Sequence, residues 1–202
     1  MSVPVKYNLL QNLNKINLRA IPVIMFLSVF SCSDINITEV SGYESEFFPT
    51  KVGNKWIYDN QGVEWNIETT GKTIIKGLSY YIFVSTYENI PDTNYYRISN
   101  DGKVIINIDG EDYTFIDFNA PIGEEWQMYY DFYGIVRQLD LQTTVPAGTF
   151  SGVTEIFIDN TKFSDVYEFN KYAPGVGLIE SVGFRRFSYL QSAVVNGIVY
   201  PQ

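Results

Sequence analysis

The sequence predicts an all-β protein with a single antiparallel β domain over residues 46–202, and three observations indicate this. The chain holds 16 Tyr, 14 Phe and 3 Trp among 202 residues, and aromatic side chains favour half-buried strands. No window after residue 45 keeps a helical period, whereas residues 80–87 alternate with the two-residue period of a strand. Turn residues also separate many short β-rich runs. We therefore expect about twelve strands, folded as a sandwich, a barrel or a strongly curved sheet.

Residues 1–31 have the order of a secretory signal peptide. Lys6, Lys15 and Arg19 supply the charges of this segment, and an apolar run of eleven residues, 20–30, follows them. A membrane-spanning helix needs about 20 apolar residues, so the run is too short to span. A buried element of the folded domain is the alternative interpretation.

Cys32, the single cysteine of the chain, stands directly behind this run. Val29-Phe30-Ser31-Cys32 resembles the lipobox of bacterial lipoproteins, although Phe30 is larger than the usual residue there. The resemblance implies a lipoprotein signal peptide: diacylglyceryl transfer to the Cys32 thiol, cleavage before Cys32, and acylation of the new amino group with a chain such as palmitate. Three acyl chains hold a protein stably, because each buried CH₂ contributes about 0.8 kcal/mol. An ordinary cleaved signal, leaving a secreted soluble protein, is the alternative.

The lipobox resemblance also implies a location in the cell envelope. Ser33 follows the cysteine, where an Asp tends to retain lipoproteins at the inner membrane. The resemblance therefore implies the outer membrane, with the domain facing the periplasm or the cell surface, and a membrane partner reached through lipid on Cys32. Residues 32–45 then form the lipidated cysteine and a polar tether, long enough to span roughly 20 Å.

The β domain contains an internal echo between residues 52–68 and residues 122–140. The matching positions are Gly53-x-x-Trp56 with Gly123-x-x-Trp126, and Tyr58-Asp59-x-x-Gly62 with Tyr130-Asp131-x-x-Gly134. We interpret each copy as a strand, a three-residue loop ending in glycine and a second strand, with the tryptophan in the core. Similar turn sequences arising independently in an aromatic-rich protein are the alternative to a duplicated GxxW hairpin.

Other turns are indicated farther along the chain. Asp101-Gly102 and Asp109-Gly110 divide residues 94–118 into three β-rich runs, as tight hairpins do. Residues 161–172 leave room for one helix.

Three segments together carry a family resemblance: FFPTKVGNKWIYD, TTVPAGTFSGV and KYAPGVGLIES. They are similar to recurring signatures of uncharacterised secreted bacterial proteins and lipoproteins. The resemblance implies a β-rich exported domain, with some relatives resembling curved-sheet lipoprotein carriers. It implies no reaction, because no catalytic motif accompanies it. Two of the segments also contain plain turns, at Pro146 to Gly148 and at residues 174–177.

The composition argues against most enzyme classes. The chain has no histidine, so the commonest general base and a Ser-His-Asp triad are missing. A net charge of -9 disfavours nucleic acid as a partner. Carboxylates beside aromatic residues, at Glu124, Glu125 and Asp131, leave a glycan hydrolase as a minor hypothesis. A turn at 109–112 holds three carboxylates but lacks the spacing of a calcium loop. We therefore expect no enzyme activity, no metal and no cofactor.

The densest aromatic stretch, WQMYYDFYG, supplies the candidate ligand-binding residues Trp126, Tyr129, Tyr130 and Tyr133. The alternative is a core face alternating with an aromatic outer face. We expect a non-catalytic domain that binds a glycan, lipid or protein ligand or an envelope partner. The alternative function is a lipid carrier or envelope-assembly factor with an apolar cavity in a curved sheet. A flat exposed aromatic strip would favour the first, and an inward apolar face with an open mouth the second.

Overall fold

The computed structural model describes residues 44–163, 165–184 and 186–201. These residues contain thirteen strands and no α-helix, which confirms the all-β prediction. The strands are β1 (Lys55–Asn60), β2 (Val63–Ile75), β3 (Leu78–Tyr87), β4 (Ile90–Ile98), β5 (Val104–Ile108), β6 (Glu111–Ile116), β7 (Glu125–Gln127), β8 (Phe132–Val145), β9 (Gly148–Asn160), β10 (Tyr167–Ala173), β11 (Gly177–Gly183), β12 (Arg186–Val195) and β13 (Ile198–Tyr200).

The predicted signal peptide, residues 1–31, and Cys32 lie outside the described residues, as does the predicted tether up to residue 43. In the described part of the chain, no helix has the length and apolar character needed to cross a membrane.

The sheet consists of two six-stranded antiparallel meanders. Their order is β6-β5-β4-β3-β2-β1 followed by β12-β11-β10-β9-β8-β7. The two meanders are joined by the antiparallel pairing of β1 with β12. β13 pairs with β12 beside this path. Side chains from opposite ends of the order, such as Ile116 on β6 and Val136 on β8, share one buried cluster. Of the three predicted arrangements, the protein therefore has the strongly curved sheet, nearly closed on itself.

A GxxW segment begins each meander, but the prediction of a three-residue loop ending in glycine after each segment is wrong. Gly53 and Gly123 both have positive φ, and their N–H groups donate to Thr69 O (2.8 Å) and Val136 O (2.9 Å) on the following long strand. The first hairpin loop has two residues rather than three, Gln61 and Gly62. Gly134 lies within β8, opposite Trp126. A Cβ at Gly134 would overlap the indole ring, so this glycine serves packing instead of a turn.

The predicted turns at 109–110, 146–148 and 174–177 are confirmed, whereas the predicted helix is wrong. Asp101-Gly102 lies in a longer loop, 99–103, between β4 and β5 instead of a tight hairpin. Asp109-Gly110 forms a two-residue hairpin loop with positive φ at both positions, and residues 146–147 connect β8 to β9. The segment predicted as a possible helix instead ends in strand β10. Its alternate residues Tyr167 and Phe169 pack around Phe157 of β9, with Phe169 at 4.9 Å between ring centroids, and this cross-strand packing outweighs any local helical preference.

The three carboxylates of the predicted turn at 109–112 have separate environments. Asp112 accepts hydrogen bonds from Tyr80 Oη (2.6 Å), Asn107 Nδ2 (2.8 Å) and Arg97 Nη2 (2.8 Å). Burial raises the pKa of Asp112, but these hydrogen bonds and the arginine charge outweigh it and hold the pKa below its usual value. Glu111 pairs with Lys76 at 2.8 Å, and Asp109 is exposed. This network ties β3 to β6 in the first meander.

Candidate functional site

The concave face of the sheet encloses a cavity of about 480 Å³. This volume lies within the range of small-molecule sites, roughly 300–1,000 Å³. Twelve aromatic residues among those described line it: Phe48, Trp56, Tyr58, Trp65, Phe83, Tyr96, Phe115, Tyr129, Phe132, Tyr167, Tyr172 and Phe184. The cavity reaches solvent, because its lining residue Asp92 is exposed and the Arg186 side chain is 42% exposed.

The strand period explains why so many rings meet here. Successive side chains of a strand point to opposite faces, so Trp56 and Tyr58 of β1 both point inward. Tyr58 stands opposite Trp65 of β2, and the two rings stack with centroids 4.6 Å apart. The Tyr58 hydroxyl donates to Leu178 O at 2.8 Å. Burial raises the pKa of Tyr58, so this phenol stays neutral and the wall it forms carries no charge.

One side of the wall is polar. Arg186 of β12 donates from Nη1 to Glu168 Oε1 of β10 at 3.0 Å, and its guanidinium lies 5.1 Å from the centroid of Trp65. Asn170, two residues beyond Glu168, also lines the cavity and donates from Nδ2 to Glu168 Oε2 at 3.5 Å. Burial raises the pKa of Tyr129, and the negative charge of Glu168 adds to this, because the phenol lies near the ion pair.

The opposite wall adds a second, more exposed polar group. Asp92 of β4 accepts from Asn94 Nδ2 at 3.2 Å and stands opposite Ser85 of β3 in the sheet. Ser85 Oγ accepts from Trp65 Nε1 at 2.9 Å. The charged side chains of the lining, among the residues that the structure describes, are thus two carboxylates and one guanidinium. Ser85, Asn94 and Asn170 add uncharged polar groups, and most of the other lining residues are aromatic or aliphatic. Such a lining suits a ligand with a large apolar body and a few polar atoms.

The four aromatic residues predicted as a binding surface do not form one strip. Tyr129 lines the cavity, and the exposed Tyr130 packs edge-on against it at 5.8 Å. Trp126 is half-buried and packs against the core cluster beside β8. Tyr133 donates to Asp159 Oδ2 at 2.9 Å and takes no part in the cavity lining. The structure therefore places one of the four in the cavity and favours the alternation of a core face with an outer face.

Sequence reasoning missed the polar residues of the cavity. Glu168, Asn170 and Arg186 lie in short, charged stretches that resemble any solvated strand. Their one signal is periodicity: Glu168, Asn170 and Tyr172 share a face of β10, and Asn170 and Tyr172 are buried. This alternation predicts an inward-facing position for Glu168 and Asn170 only if the segment is already known to be a strand.

The other predicted carboxylates lie away from this cavity. Glu124 and Glu125 are exposed, and Asp131 pairs with Lys162 at 2.7 Å. Within the described ranges, no cluster of three or more Asp, Glu, His or Cys residues could hold a metal ion.

Comparison with known proteins gives two likenesses of fold. One solved structure is a candidate exported protein with a YmcC-like fold from Bacteroides fragilis NCTC 9343, 13% identical, with a TM-score of 0.49 over 74% of this chain and 99% of that one. Another is a candidate lipoprotein from Parabacteroides distasonis ATCC 8503, 14% identical, with a TM-score of 0.42 over 74% and 98% of the two chains. No family model and no curated protein matches the chain. Its function must therefore be sought in its own side chains.

Proposed function

We propose that this protein is a non-catalytic envelope lipoprotein whose β domain binds and carries a small amphipathic molecule in the aromatic cavity. The observation that carries the proposal is the inward-facing aromatic wall around a cavity of about 480 Å³ that reaches solvent. A flat exposed strip around Tyr130 would have favoured a surface for glycan or protein instead. The carrier function, considered above as the alternative, is therefore the better supported of the two.

The cavity suits an apolar ligand for energetic reasons. Burying apolar surface contributes about 25 cal/mol per Å², and the half-buried lining rings of Tyr129 and Phe132, held against each other with centroids 5.5 Å apart, offer aromatic surface already in place. The phenol of Tyr58 and the indole N–H groups of Trp56 and Trp65 are satisfied within the protein. A ligand with an apolar body therefore competes with no unpaired polar atom on this part of the wall.

A substitution that fills the cavity tests the proposal. Ile67 lines the cavity beside Trp56, and Ile67→Trp should occupy the ligand volume. We expect the affinity for the neutral fluorescent probe N-phenyl-1-naphthylamine, measured by emission enhancement, to fall at least tenfold. Ile57→Trp makes the same change on β1 at a position that does not line the cavity, and it should leave the affinity unchanged. Equal affinities for both variants, or no binding by the unmodified protein, would contradict cavity binding.

The anchor is the second part of the proposal and has its own test. The apolar run before Cys32 and the lipobox-like Val29-Phe30-Ser31-Cys32 support acylation, with palmitate-type chains, at the outer membrane. We expect the intact mass of protein from the membrane fraction to correspond to a chain beginning at Cys32 plus acyl groups. Cys32→Ala should lose the added mass and leave the membrane fraction. An unmodified mature chain in the soluble fraction would instead indicate an ordinary secreted protein.

A further inference from the structure

We propose that the ligand carries a neutral hydrogen-bond donor, a hydroxyl or an amide N–H, and that this group binds Asn170 while the apolar body lies against the aromatic wall. The proposal rests on the carrier function and specifies the chemical class of its ligand.

Asn170 carries a buried acceptor that no described residue pairs with. The residue is 5% exposed and lines the cavity, and its Oδ1 has no hydrogen-bond partner among the described residues. The amide orientation follows from its neighbour, because Nδ2 faces the Glu168 carboxylate and a carbonyl oxygen there would be repelled. A buried acceptor without a donor costs about 1–3 kcal/mol. A ligand that donates a hydrogen bond to Oδ1 would recover this free energy.

Two serines extend this polar group across the sheet. Asn170 of β10 stands opposite Ser181 of β11, and Ser181 stands opposite Ser188 of β12. The serines are 1% and 0% exposed, and neither Oγ has a partner in the described part of the chain. Directly opposite residues have Cβ atoms about 5 Å apart, so the three side chains form a continuous polar row beneath the cavity wall. The row continues the polar side of the wall that Glu168 and Arg186 form.

The charges near Asn170 favour a neutral donor. Among the described residues of the lining, Glu168 and Asp92 outnumber Arg186, so a ligand carboxylate or phosphate would add to an excess of negative charge. Its oxygens would also be acceptors facing the acceptor of Asn170. An ammonium group would donate, but the nearest carboxylate, Glu168, is already paired with Arg186. Asp92 stands on the opposite wall, so a second cation buried beside Asn170 would lack an adjacent counter-ion, which costs several kcal/mol.

Competition against N-phenyl-1-naphthylamine separates these ligand classes. The competitors share a twelve-carbon chain: 1-dodecanol donates and accepts, dodecyl methyl ether only accepts, dodecanoate is an anion and dodecylamine is a cation. We expect the alcohol to bind about tenfold more tightly than the ether, the effect of one hydrogen bond to a buried partner. Dodecanoate and dodecylamine should both bind more weakly than the alcohol.

A matched pair of variants assigns the preference to Asn170. Asn170→Leu should bring the ratio of alcohol to ether affinity close to one. Asn66→Leu makes the same change at an asparagine whose Nδ2 also donates to a glutamate two residues earlier, Glu64, but which does not line the cavity, and it should keep the preference. The ratio of alcohol to ether affinity in the unmodified protein tests the neutral-donor proposal by itself. Misfolding of Asn170→Leu would therefore not prevent the test. Equal binding of alcohol and ether, or tighter binding of dodecanoate or dodecylamine, would overturn the neutral-donor proposal but not the carrier function. Failure of the probe itself to bind would overturn both.

Discussion

Trp56→Ala is expected to lower the free energy of unfolding by about 4 kcal/mol. Trp56 is buried at the junction of the two meanders, where β1 pairs with β12. Its ring lies nearly parallel to Phe83, with centroids 6.1 Å apart, and its Nε1 donates to Val176 O at 2.6 Å. Alanine would leave a large cavity and also an unpaired carbonyl. Urea unfolding followed by circular dichroism measures the loss.

The second GxxW tryptophan provides the matched control. Trp126 has the same place at the start of the second meander, but it is half-buried and its Nε1 has no partner among the described residues. It also lies on β7, the terminal strand of the sheet order, with β8 as its pairing partner. We expect Trp126→Ala to cost about 2 kcal/mol, half the loss at Trp56. Equal losses would mean that position within the GxxW segment, rather than burial, sets the contribution of each tryptophan.

The comparison of these two tryptophans shows how much the sequence could predict. Alternation, aromatic content and Asp-Gly turns depend on neighbouring residues, so they predicted strands and an all-β fold correctly. The same local signals predicted that Gly62 and Gly134 both end a hairpin loop. Gly62 does lie in a turn, but Gly134 lies within a strand against the indole ring of Trp126. Only the tertiary pairing of β7 with β8 distinguishes them.

The cavity could not be predicted from neighbouring residues either, because it depends on tertiary structure. It forms because β4 and β10, far apart along the chain and in the sheet order, face each other when the sheet curves. Tyr129 was predicted because it stands in a dense aromatic run, whereas Asn170 and Arg186 stand in no motif. The curvature that brings them together is a property of the whole sheet, set by twist and by the side chains that fill its concave face.

Gly183→Ala is expected to lower the free energy of unfolding by about 3 kcal/mol and to disturb the cavity as well. Gly183 stands in β11 between Glu168 of β10 and Arg186 of β12. An added Cβ would overlap the backbone oxygen of Tyr167 and lie 2.9 Å from Glu168 Cα. Backbone atoms of a paired strand cannot move aside as a flexible side chain can, so β10 and β11 would have to separate. The φ of Gly183 is not positive, so the penalty is one of space alone.

The same glycine explains how a salt bridge can cross three strands. Neighbouring strands lie about 4.8 Å apart, so β10 and β12 are separated by roughly twice that distance. Arg186 reaches Glu168 at 3.0 Å because no side chain stands between them on β11. We therefore expect Gly183→Ala to weaken probe binding as well as stability. Gly71→Ala on β2 is the control, since its Cβ would meet Ile82 Cδ1 at 3.7 Å, an ordinary contact, and should change stability by less than about 1 kcal/mol. If both variants unfold at the same urea concentration, β10 and β11 must be able to separate at little cost. The close packing at Gly183 would then not be what holds the Arg186–Glu168 ion pair beside Trp65.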